Sequence, residues 1–424
     1  MLSFNRLKSS SSLLIRRFTS CQRLRKEIIN PNAATKKSDE ALHFFIRDKI
    51  KASGPITVLE YMELVAGSAA GYYVNKSAKD DGKIFGASGD FITAPELTQV
   101  FGELLAVWIY NELGNCGHTF NEWQLVELGP GTGNLMADML GAFKKLKEDD
   151  KLTVHFVEIS DSLIDEQERR LCNQVTKNVE GKSYFTVFVG SEFLDALPIH
   201  QFTKDDKGWH KVYVNLDANE QLKFMLSKYE NLHTKGLLPE AIRNDEKRKN
   251  WEVSPEAGTI VNQITEKVML NGGFALFVDY AHDGSREELS LRAYHKHTLV
   301  DPLASPGKND ITADVNFGYL KSLNDDRVLV FGPQEQRWFL SQLGILTRMQ
   351  YLMKIAKSKE DKENLFNAFK LLMTGNDQGG KGESFKCFSI FPKTLLPIIE
   401  KRGGFPDGFR PFGMKAVEKD SEKL

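Results

Sequence analysis

The sequence predicts an α/β protein built on a seven-stranded, mostly parallel sheet, and three observations support this fold class. The stretch QLVELGPGTGNL, residues 124–135, has the character of a strand, a glycine turn and the start of a helix. A second apolar strand, 152–157, follows after one predicted crossover helix, 134–147. Two further buried strands, 185–190 and 274–279, alternate with helical segments in the same way. Such alternation favours a parallel sheet with helices on its faces.

Composition limits the class of function. The 424 residues include 41% hydrophobic and 27% charged side chains, as expected for a folded α/β domain with insertions or for two to three domains. The net charge of −1 gives no basic field for nucleic acid. No apolar run approaches the ~18 residues that a membrane span needs. The four cysteines form no C-x-x-C pair and H-E-x-x-H is absent, so we predict neither a disulfide framework nor a metal.

The first 26 residues have the composition of a targeting signal. Residues 1–26 contain seven lysines and arginines, a serine run at 9–12 and no acid. This composition is typical of a mitochondrial transit peptide. We therefore predict a disordered lead, import into the mitochondrial matrix and cleavage shortly after Arg17, with a plain basic tail as the alternative.

Residues 38–115 predict an N-terminal helical extension. Ser38 is placed to begin one helix, and Thr57 is placed to cap a second. A loop then leads to an amphipathic helix that begins at Thr93 or Pro95 and runs through Trp108. We expect the helices of this extension to pack against the main sheet.

Gly129, Gly131 and Gly133 occupy every second position of the turn after the first strand. Glycine allows positive φ and lets the backbone approach a ligand that a Cβ atom would exclude. The helix that follows presents unpaired N–H groups to an anionic group. The dinucleotide pattern G-x-G-x-x-G fails by one residue at Asn134, and no Gly-Lys-Ser/Thr follows for a phosphate loop. What remains is acidic-x-G-x-G-x-G with Glu127 as the acid, or a glycine-rich turn without a ligand.

The glycine pattern resembles the first motif of class I S-adenosylmethionine-dependent methyltransferases, in which the turn surrounds the methionine part of the cofactor. Other blocks resemble, in the same order, the family that includes the mitochondrial protein-arginine methyltransferases acting in respiratory complex I assembly. These blocks are GDFITAPE at 89–96, EFLDALP at 192–198, DY at 279–280, DPL at 301–303, PG at 306–307 and ITADV at 311–315. The likeness covers roughly residues 38–392.

The resemblance implies a Rossmann-like class I methyltransferase fold with S-adenosyl-L-methionine as the cofactor. It also implies a protein substrate, with arginine on a respiratory complex I subunit as the expected acceptor and complex I assembly as the process served. Gly89, Asp90 and Thr93 are then expected to contact the cofactor, together with Glu127 and the glycine turn.

Acids at the ends of the predicted strands supply the candidate site. Glu158 ends the second strand, where it can accept hydrogen bonds from both ribose hydroxyls; an exposed strand-end acid is the alternative. Glu192 and Asp195 follow the next strand at spacing i to i+3, so we expect a helical turn that projects both carboxylates from one face, with helix capping as the alternative for one of them. Because a guanidinium stays protonated up to a pKa above ~12, carboxylates have to hold it and take up a proton. We assign that catalytic role to Glu192 and Asp195, with Tyr280 as a wall of the pocket.

The remaining chain completes a methyltransferase core predicted at 120–395. Its other predicted parts, in order, are a strand-rich insertion at 204–252, a long loop at 282–314 that covers the substrate, a strand at 328–331, a helix at 334–343, a charged helix at 354–366, a strand at 384–391 and a C-terminal tail at 396–424.

Two other classes of function stay open. A nicotinamide-dependent oxidoreductase has a similar fold, although the spacing of the third glycine disfavours it. A non-catalytic assembly factor would keep the fold as a binding platform. A homodimer is compatible with the sequence.

Overall fold

The computed structural model describes residues 4–5, 38–68, 71–73, 93–118, 121–147, 149–171, 184–411 and 413–414. Gly89 and Asp90 lie outside these residues, as does the predicted transit peptide apart from Phe4 and Asn5. Within the same ranges, no helix has the length and apolar character needed to cross a membrane.

The strands and helices follow one another as the alternation of the sequence predicts. The strands are β1 (Phe4–Asn5), β2 (Ile56–Thr57), β3 (Trp123–Leu128), β4 (Leu152–Val157), β5 (Phe185–Ser191), β6 (His200–Asp205), β7 (Gly208–Leu216), β8 (Leu222–Leu226), β9 (Asn250–Val253), β10 (Gly273–His282), β11 (Arg292–His295), β12 (Thr298–Val300), β13 (Asp310–Thr312), β14 (Val315–Asn316), β15 (Val328–Glu335) and β16 (Phe385–Pro392). The α-helices are α1 (Ser38–Ser53), α2 (Val58–Gly67), α3 (Ala94–Leu97), α4 (Gln99–Asn115), α5 (Asn134–Leu146), α6 (Asp161–Leu171), α7 (Leu232–Leu237), α8 (Glu240–Asn244), α9 (Pro255–Asn271), α10 (Phe317–Ser322), α11 (Gln336–Gln342), α12 (Ile345–Ile355), α13 (Lys359–Met373) and α14 (Leu396–Lys401).

The centre of the molecule is a mostly parallel sheet. Seven strands lie in the order β1-β4-β3-β5-β10-β16-β15, and the short β14 pairs with the end of β10. Neighbouring strands from β1 to β10 are parallel, whereas β16 is antiparallel to both β10 and β15. The carboxyl ends of β3, β4, β5 and β10 therefore meet at one edge of the sheet, where ligands of such folds bind.

Helices cover both faces of this sheet. On one face, α4, α5 and the helices α11 to α13 enclose a core that contains the buried side chains of Trp108, Phe143 and Phe274. On the other face, α9 and α10 form a second core, in which the ring of Phe317 stacks on Phe388 at a centroid distance of 4.7 Å. The two cores hold the strand ends in fixed positions from both sides.

A second sheet occupies the predicted insertion. Its strand order is β2-β7-β6-β9, and β8 pairs with β7. Contrary to expectation, α1 and α2 of the N-terminal extension pack on this sheet, where Tyr61 and Val212 share one apolar core. Thr57 caps α2 as predicted, because its Oγ1 accepts a hydrogen bond from the Glu60 N–H at 3.0 Å.

The prediction of a single long loop at 282–314 is wrong. This segment contains a small antiparallel sheet with the strand order β12-β11-β13. Each strand has only three or four residues, which is too short for a period-2 pattern to be recognised. The backbone N–H of Ala313 donates to the carbonyl of Asp195 at 2.9 Å, so the small sheet is attached beside the predicted catalytic segment.

Two segments that the sequence predicts as single helices each contain two helices, and a threonine or serine N-cap begins the second one. The helix expected from Thr93 breaks at Thr98, whose extended backbone ends α3 and whose hydroxyl accepts from the Val100 N–H of α4. The single helix expected at 354–366 is also wrong, because α12 ends at Ile355 and Ser358 starts α13 with a capping box. A serine or threonine that satisfies a free N–H can start a new helix within a helical pattern.

Candidate functional site

The glycine turn between β3 and α5 has the conformation that the sequence predicts. The φ angles of Gly129, Gly131 and Gly133 are +63°, +54° and +80°. The Gly129 N–H donates to the carbonyl of Val157 at 3.0 Å, and the Gly133 N–H donates to that of Pro130 at 2.8 Å. Residues with a side chain rarely adopt such positive φ angles, so the turn requires glycine at these positions.

Gly129 also joins the turn to the predicted catalytic segment. A Cβ atom at this position would lie 2.8 Å from Cδ2 of Phe193, which follows β5. The glycine motif and the EFLDALP block are therefore in contact, as expected for neighbouring strand ends of a parallel sheet.

Two predicted cofactor ligands, Glu127 and Glu158, lie at the ends of β3 and β4. Glu127 is 3% exposed, and its Oε2 atom has no hydrogen-bond partner within the described chain. Burial, with a further contribution from the charge of Glu158, raises the pKa of Glu127 well above its ordinary value. An orphaned carboxylate oxygen beside an open glycine turn is suited to a ligand that donates a hydrogen bond or carries positive charge.

Glu158 is held in place by its surroundings. Its Oε1 atom accepts from the N–H groups of Ile159 and Ser160 at 2.8 and 2.9 Å. Gln167 donates to Oε2 of Glu158 at 3.3 Å and to the carbonyl of Gly131 at 2.7 Å. Gln167 thereby links the acid to the glycine turn. The sequence carries no signal for this role, because a glutamine on a helix rich in charged residues is ordinary.

Glu192 connects the end of β5 to the segment that begins at Thr93. Its Oε1 atom accepts from the Ala94 N–H at 2.8 Å, and Thr93 is the N-cap residue of α3. Its own N–H donates to the carbonyl of Val278 at 3.0 Å. Thr93 and Glu192 are thus brought together.

The helical turn predicted for Glu192 to Asp195 is not present. Glu192 has a φ angle of +51°, which a right-handed helix does not allow. The side chain of Asp279 causes the different geometry: its Oδ2 atom accepts from the N–H groups of Phe193, Leu194 and Asp195 at 3.1, 2.8 and 3.4 Å. Asp279 thus holds the turn in place. The sequence analysis missed this role, although an acid within a continuous apolar strand is unusual and could have indicated it.

Four acids converge at this turn. Asp195 is 6% exposed, and burial raises its pKa well above the ordinary value. The charges of Asp279, Asp310 and Glu192 raise it further, whereas Arg292 opposes the shift. Burial also raises the pKa of Glu192, against the opposing charge of Lys381. In the part of the chain that the structure describes, no group of three or more His, Cys, Asp or Glu side chains is arranged to hold a metal ion.

Tyr280 lies near this acidic cluster, and its role as a wall of the pocket stays a prediction. The guanidinium of Arg292 lies 4.9 Å from the centroid of its ring, and Nζ of Lys381 lies 5.3 Å from it. Arg292 is in turn hydrogen-bonded to Asp314. Burial raises the pKa of Tyr280, so the phenol stays protonated. Sequence reasoning missed Arg292 and Lys381, because nothing near them in the chain points to the site.

The predicted site residues therefore form two adjoining groups. Glu127, the three glycines and Glu158 lie on the β3–β4 side, and Thr93, Glu192, Asp195 and Tyr280 lie on the β5–β10 side. Gly89 and Asp90 lie outside the described residues. The group on the β3–β4 side is suited to a polar ligand that has hydroxyls and a positively charged group. The group on the β5–β10 side is suited to a second positively charged group.

Comparisons with known proteins agree with this geometry. A family model of S-adenosyl-L-methionine-dependent methyltransferases matches residues 104–334. The chain is 48% identical over 423 residues to the mitochondrial protein arginine methyltransferase NDUFAF7 homolog of Caenorhabditis elegans. The alignment covers 94% of this chain and 96% of that protein. It is 35% identical over 381 residues to the mitochondrial protein arginine methyltransferase NDUFAF7 of Homo sapiens, over 82% of each chain.

A solved structure is also similar. A COG1565 superfamily member from Burkholderia thailandensis, bound to S-adenosyl-homocysteine, superimposes with a TM-score of 0.69 at 26% identity. The match covers 86% of this chain and 94% of that one.

Proposed function

Because this chain belongs to the S-adenosyl-L-methionine-dependent methyltransferase family, we propose that it methylates an arginine of a mitochondrial protein, with Glu192 and Asp195 as the acids that receive the guanidinium. The family membership confirms the predicted fold class, enzyme class and cofactor, and it contradicts the nicotinamide-dependent alternative. The observation that carries the proposal is the convergence of buried acids at the end of β5, where Phe193 contacts the glycine turn.

The residues on the β3–β4 side are suited to the cofactor. When bound, S-adenosyl-L-methionine supplies a methyl group that its sulfonium already activates. The glycine turn leaves space for the methionine part, and the orphaned oxygen of Glu127 can accept from a cationic ammonium. Glu158 is fixed by its backbone partners and keeps acceptor capacity for ribose hydroxyls.

The acids on the β5–β10 side are suited to a guanidinium. An arginine of the substrate carries a positive charge that does not dissociate near neutral pH. Asp195 is buried and Glu192 is partly buried, and the pKa values of both carboxyls are raised. A cation that binds beside them therefore stabilises their charged forms. A carboxylate whose pKa is raised is also a stronger base, so one of the pair can take up the proton that the guanidinium loses as a nitrogen is methylated.

Tyr280 and its cations limit the space in which the substrate nitrogen can move. The ring contacts the guanidinium of Arg292 and the ring of Phe385, whose centroid lies 4.1 Å away. Methyl transfer depends on alignment of the nucleophile with the bond that breaks. A fixed aromatic wall beside Glu192 and Asp195 supplies that alignment and excludes water.

The names of the relatives support a protein substrate and a mitochondrial compartment. The curated relatives are named mitochondrial protein arginine methyltransferases, and the basic, acid-free first 26 residues support import into the matrix. A subunit of respiratory complex I is the acceptor we propose, on the basis of the sequence blocks shared with the family acting in complex I assembly. A homodimer stays a prediction, which light scattering of the mature chain tests.

Incubation of the mature chain with labelled S-adenosyl-L-methionine and mitochondrial matrix extract tests this function. We expect mass spectrometry to place the label on an arginine side chain of a complex I subunit, and a reaction without enzyme to leave that peptide unlabelled. Transfer to a lysine or a histidine would contradict the choice of acceptor. Binding of S-adenosyl-homocysteine without transfer to any protein would support a non-catalytic platform instead.

A further inference from the structure

Lys211 is a charged side chain buried without a counter-ion. It lies on β7 in the second sheet, its side chain is 0% exposed, and its Nζ atom has no hydrogen-bond partner among the residues that the structure describes. The methyl-transfer site does not use this residue. Burial of an ammonium group without a paired acceptor costs free energy, so a protein rarely keeps one in its interior without a use.

Two histidines and a tyrosine surround Lys211. Nζ lies 5.6 Å from the centroid of the Tyr213 ring, and the rings of His200 and His233 have centroids 5.1 Å apart. Phe202 of β6 pairs with Lys211 of β7. His200 lies two residues before Phe202 on the same strand, so its side chain projects from the same face of the sheet as that of Lys211. Burial, together with the charge of Lys211, lowers the pKa of both imidazoles. Nδ1 of His200 is a second buried polar atom that lacks a partner in the described chain.

The cluster extends from the protein surface to the interior. His233 lies on α7 and is exposed, His200 at the start of β6 is 8% exposed, and Lys211 is fully buried. Lys211 and Tyr213 are two residues apart on one strand and so project from the same face. Asn231, which caps α7, donates to the Tyr213 hydroxyl at 3.1 Å and holds the helix over that face.

The acid whose charge reaches Lys211 is already engaged. Glu60 raises the pKa of Lys211, which burial lowers to about 8. The carboxylate of Glu60, however, pairs with Nζ of Lys49 at 2.9 Å. Lys211 therefore retains positive charge at neutral pH that no carboxylate of the described chain neutralises by a direct bond.

We propose that Lys211, His200 and His233 form a binding site for the oxyanion group of a small molecule that enters past His233. A phosphate or carboxylate accepts hydrogen bonds from an ammonium and from imidazole N–H groups, and it supplies the missing counter-charge. A phosphate suits three donors best because it presents acceptor oxygens in several directions. This site belongs to the second sheet, and its positive charge distinguishes it from the acidic methyl-transfer site.

Thermal unfolding of the mature protein against inorganic phosphate tests the site. Chloride keeps the ionic strength constant, and acetate replaces phosphate in a second series. We expect the Tm of the wild type to rise saturably, by roughly 2 °C at ten times the dissociation constant. Lys211→Met should have a higher Tm than the wild type without phosphate, because the uncompensated charge is gone, and should not respond to phosphate.

Lys228→Met is the matched control. Lys228 is exposed and lies 5.3 Å from the centroid of the Tyr229 ring, so its substitution removes the same charge from a comparable contact on the surface. It should respond to phosphate as the wild type does, which separates binding from the general stabilisation that phosphate gives proteins. His200→Gln and His233→Gln should each weaken the response, and they remain informative if Lys211→Met fails to fold.

The outcomes distinguish the ligands. A saturable response to phosphate alone assigns a phosphate-bearing ligand, and a response to acetate as well assigns a carboxylate or any oxyanion. Equal Tm changes in the wild type and in all four variants at every concentration would overturn the proposal. Nuclear magnetic resonance provides a second readout, in which phosphate should shift the ring signals of His200 and His233.

Discussion

Gly129 lies where the glycine turn meets the segment after β5. Its φ angle is +63°, and an added Cβ atom would lie 2.8 Å from Phe193. Gly129→Ala therefore suffers backbone strain and a steric clash together. We expect the free energy of unfolding to fall by about 2–4 kcal/mol and the affinity for S-adenosyl-homocysteine to fall at least ~10-fold, as measured by urea unfolding and calorimetry.

Gly117→Ala isolates the part of this effect that comes from backbone strain. Gly117 has a nearly equal φ angle of +69°, and nothing lies within 4 Å of the position of its Cβ atom. We expect it to lose only about 1–2 kcal/mol of stability and no cofactor affinity. Equal losses in the two variants would show that the contact with Phe193 has no role in the site.

At the residue scale, the sequence predicts side chains that belong to local motifs and misses those that arrive from elsewhere. Gly129 and its neighbours are visible because a turn of this shape requires glycine. Gln167, Arg292 and Lys381 reach the site through tertiary packing alone. They lie on a helix, on a short strand and in a loop, at positions where a polar side chain is ordinary. Nothing local marks them.

At the level of secondary-structure elements, the contact between β5 and β10 determines the geometry of the turn that carries Glu192 and Asp195. Asp279 of β10 accepts three backbone N–H groups from the turn after β5. Burial raises its pKa, and the hydrogen bonds from the three backbone N–H groups oppose this shift. Asparagine has nearly the same shape and retains one acceptor oxygen, whereas alanine leaves the three N–H groups without a partner.

We expect Asp279→Ala to lower the free energy of unfolding by about 3 kcal/mol, and Asp279→Asn by about 1 kcal/mol or less. Methylation should decrease more in the alanine variant, because Glu192 and Asp195 lie on the turn that is released. Chemical unfolding and initial rates measure the two effects. Similar stability and activity in both variants would contradict the assignment of Asp279 as the clamp of the turn.

Length and pattern explain which elements the sequence predicts. β3, β4, β5 and β10 are buried apolar runs of six to ten residues, and each gives a clear strand pattern. β11, β12 and β13 have three or four residues and take their structure from pairing with one another. The sequence predicted a loop there because such pairing leaves no periodicity in a strand of this length.

In the described part of the whole molecule, the buried lysine Lys211 and the acids near Asp195 lie on different sheets. The acids of the proposed methyl-transfer site lie at the carboxyl edge of the main sheet, where the parallel strands end near Glu127, Glu158, Glu192 and Asp279. Lys211 and its histidines lie in the second sheet, which the N-terminal helices cover. The mostly parallel direction of the sheet could be predicted from the alternation of elements. The packing of α1 and α2 on the insertion could not, since their apolar faces fit either sheet.

The central claim is that Glu192 and Asp195 contribute to catalysis by contacting the substrate, and not merely to the stability of the fold. A single-turnover methylation assay of Glu192→Gln tests it most directly, because glutamine keeps an oxygen for the Ala94 N–H and removes only the charge and the base. Glu266→Gln on the exposed side of α9 serves as the matched control. We expect a decrease in rate of about 100-fold or more for Glu192→Gln, with unchanged affinity for S-adenosyl-homocysteine and no change for Glu266→Gln. A folded, cofactor-binding Glu192→Gln variant that methylates at the wild-type rate would contradict the account.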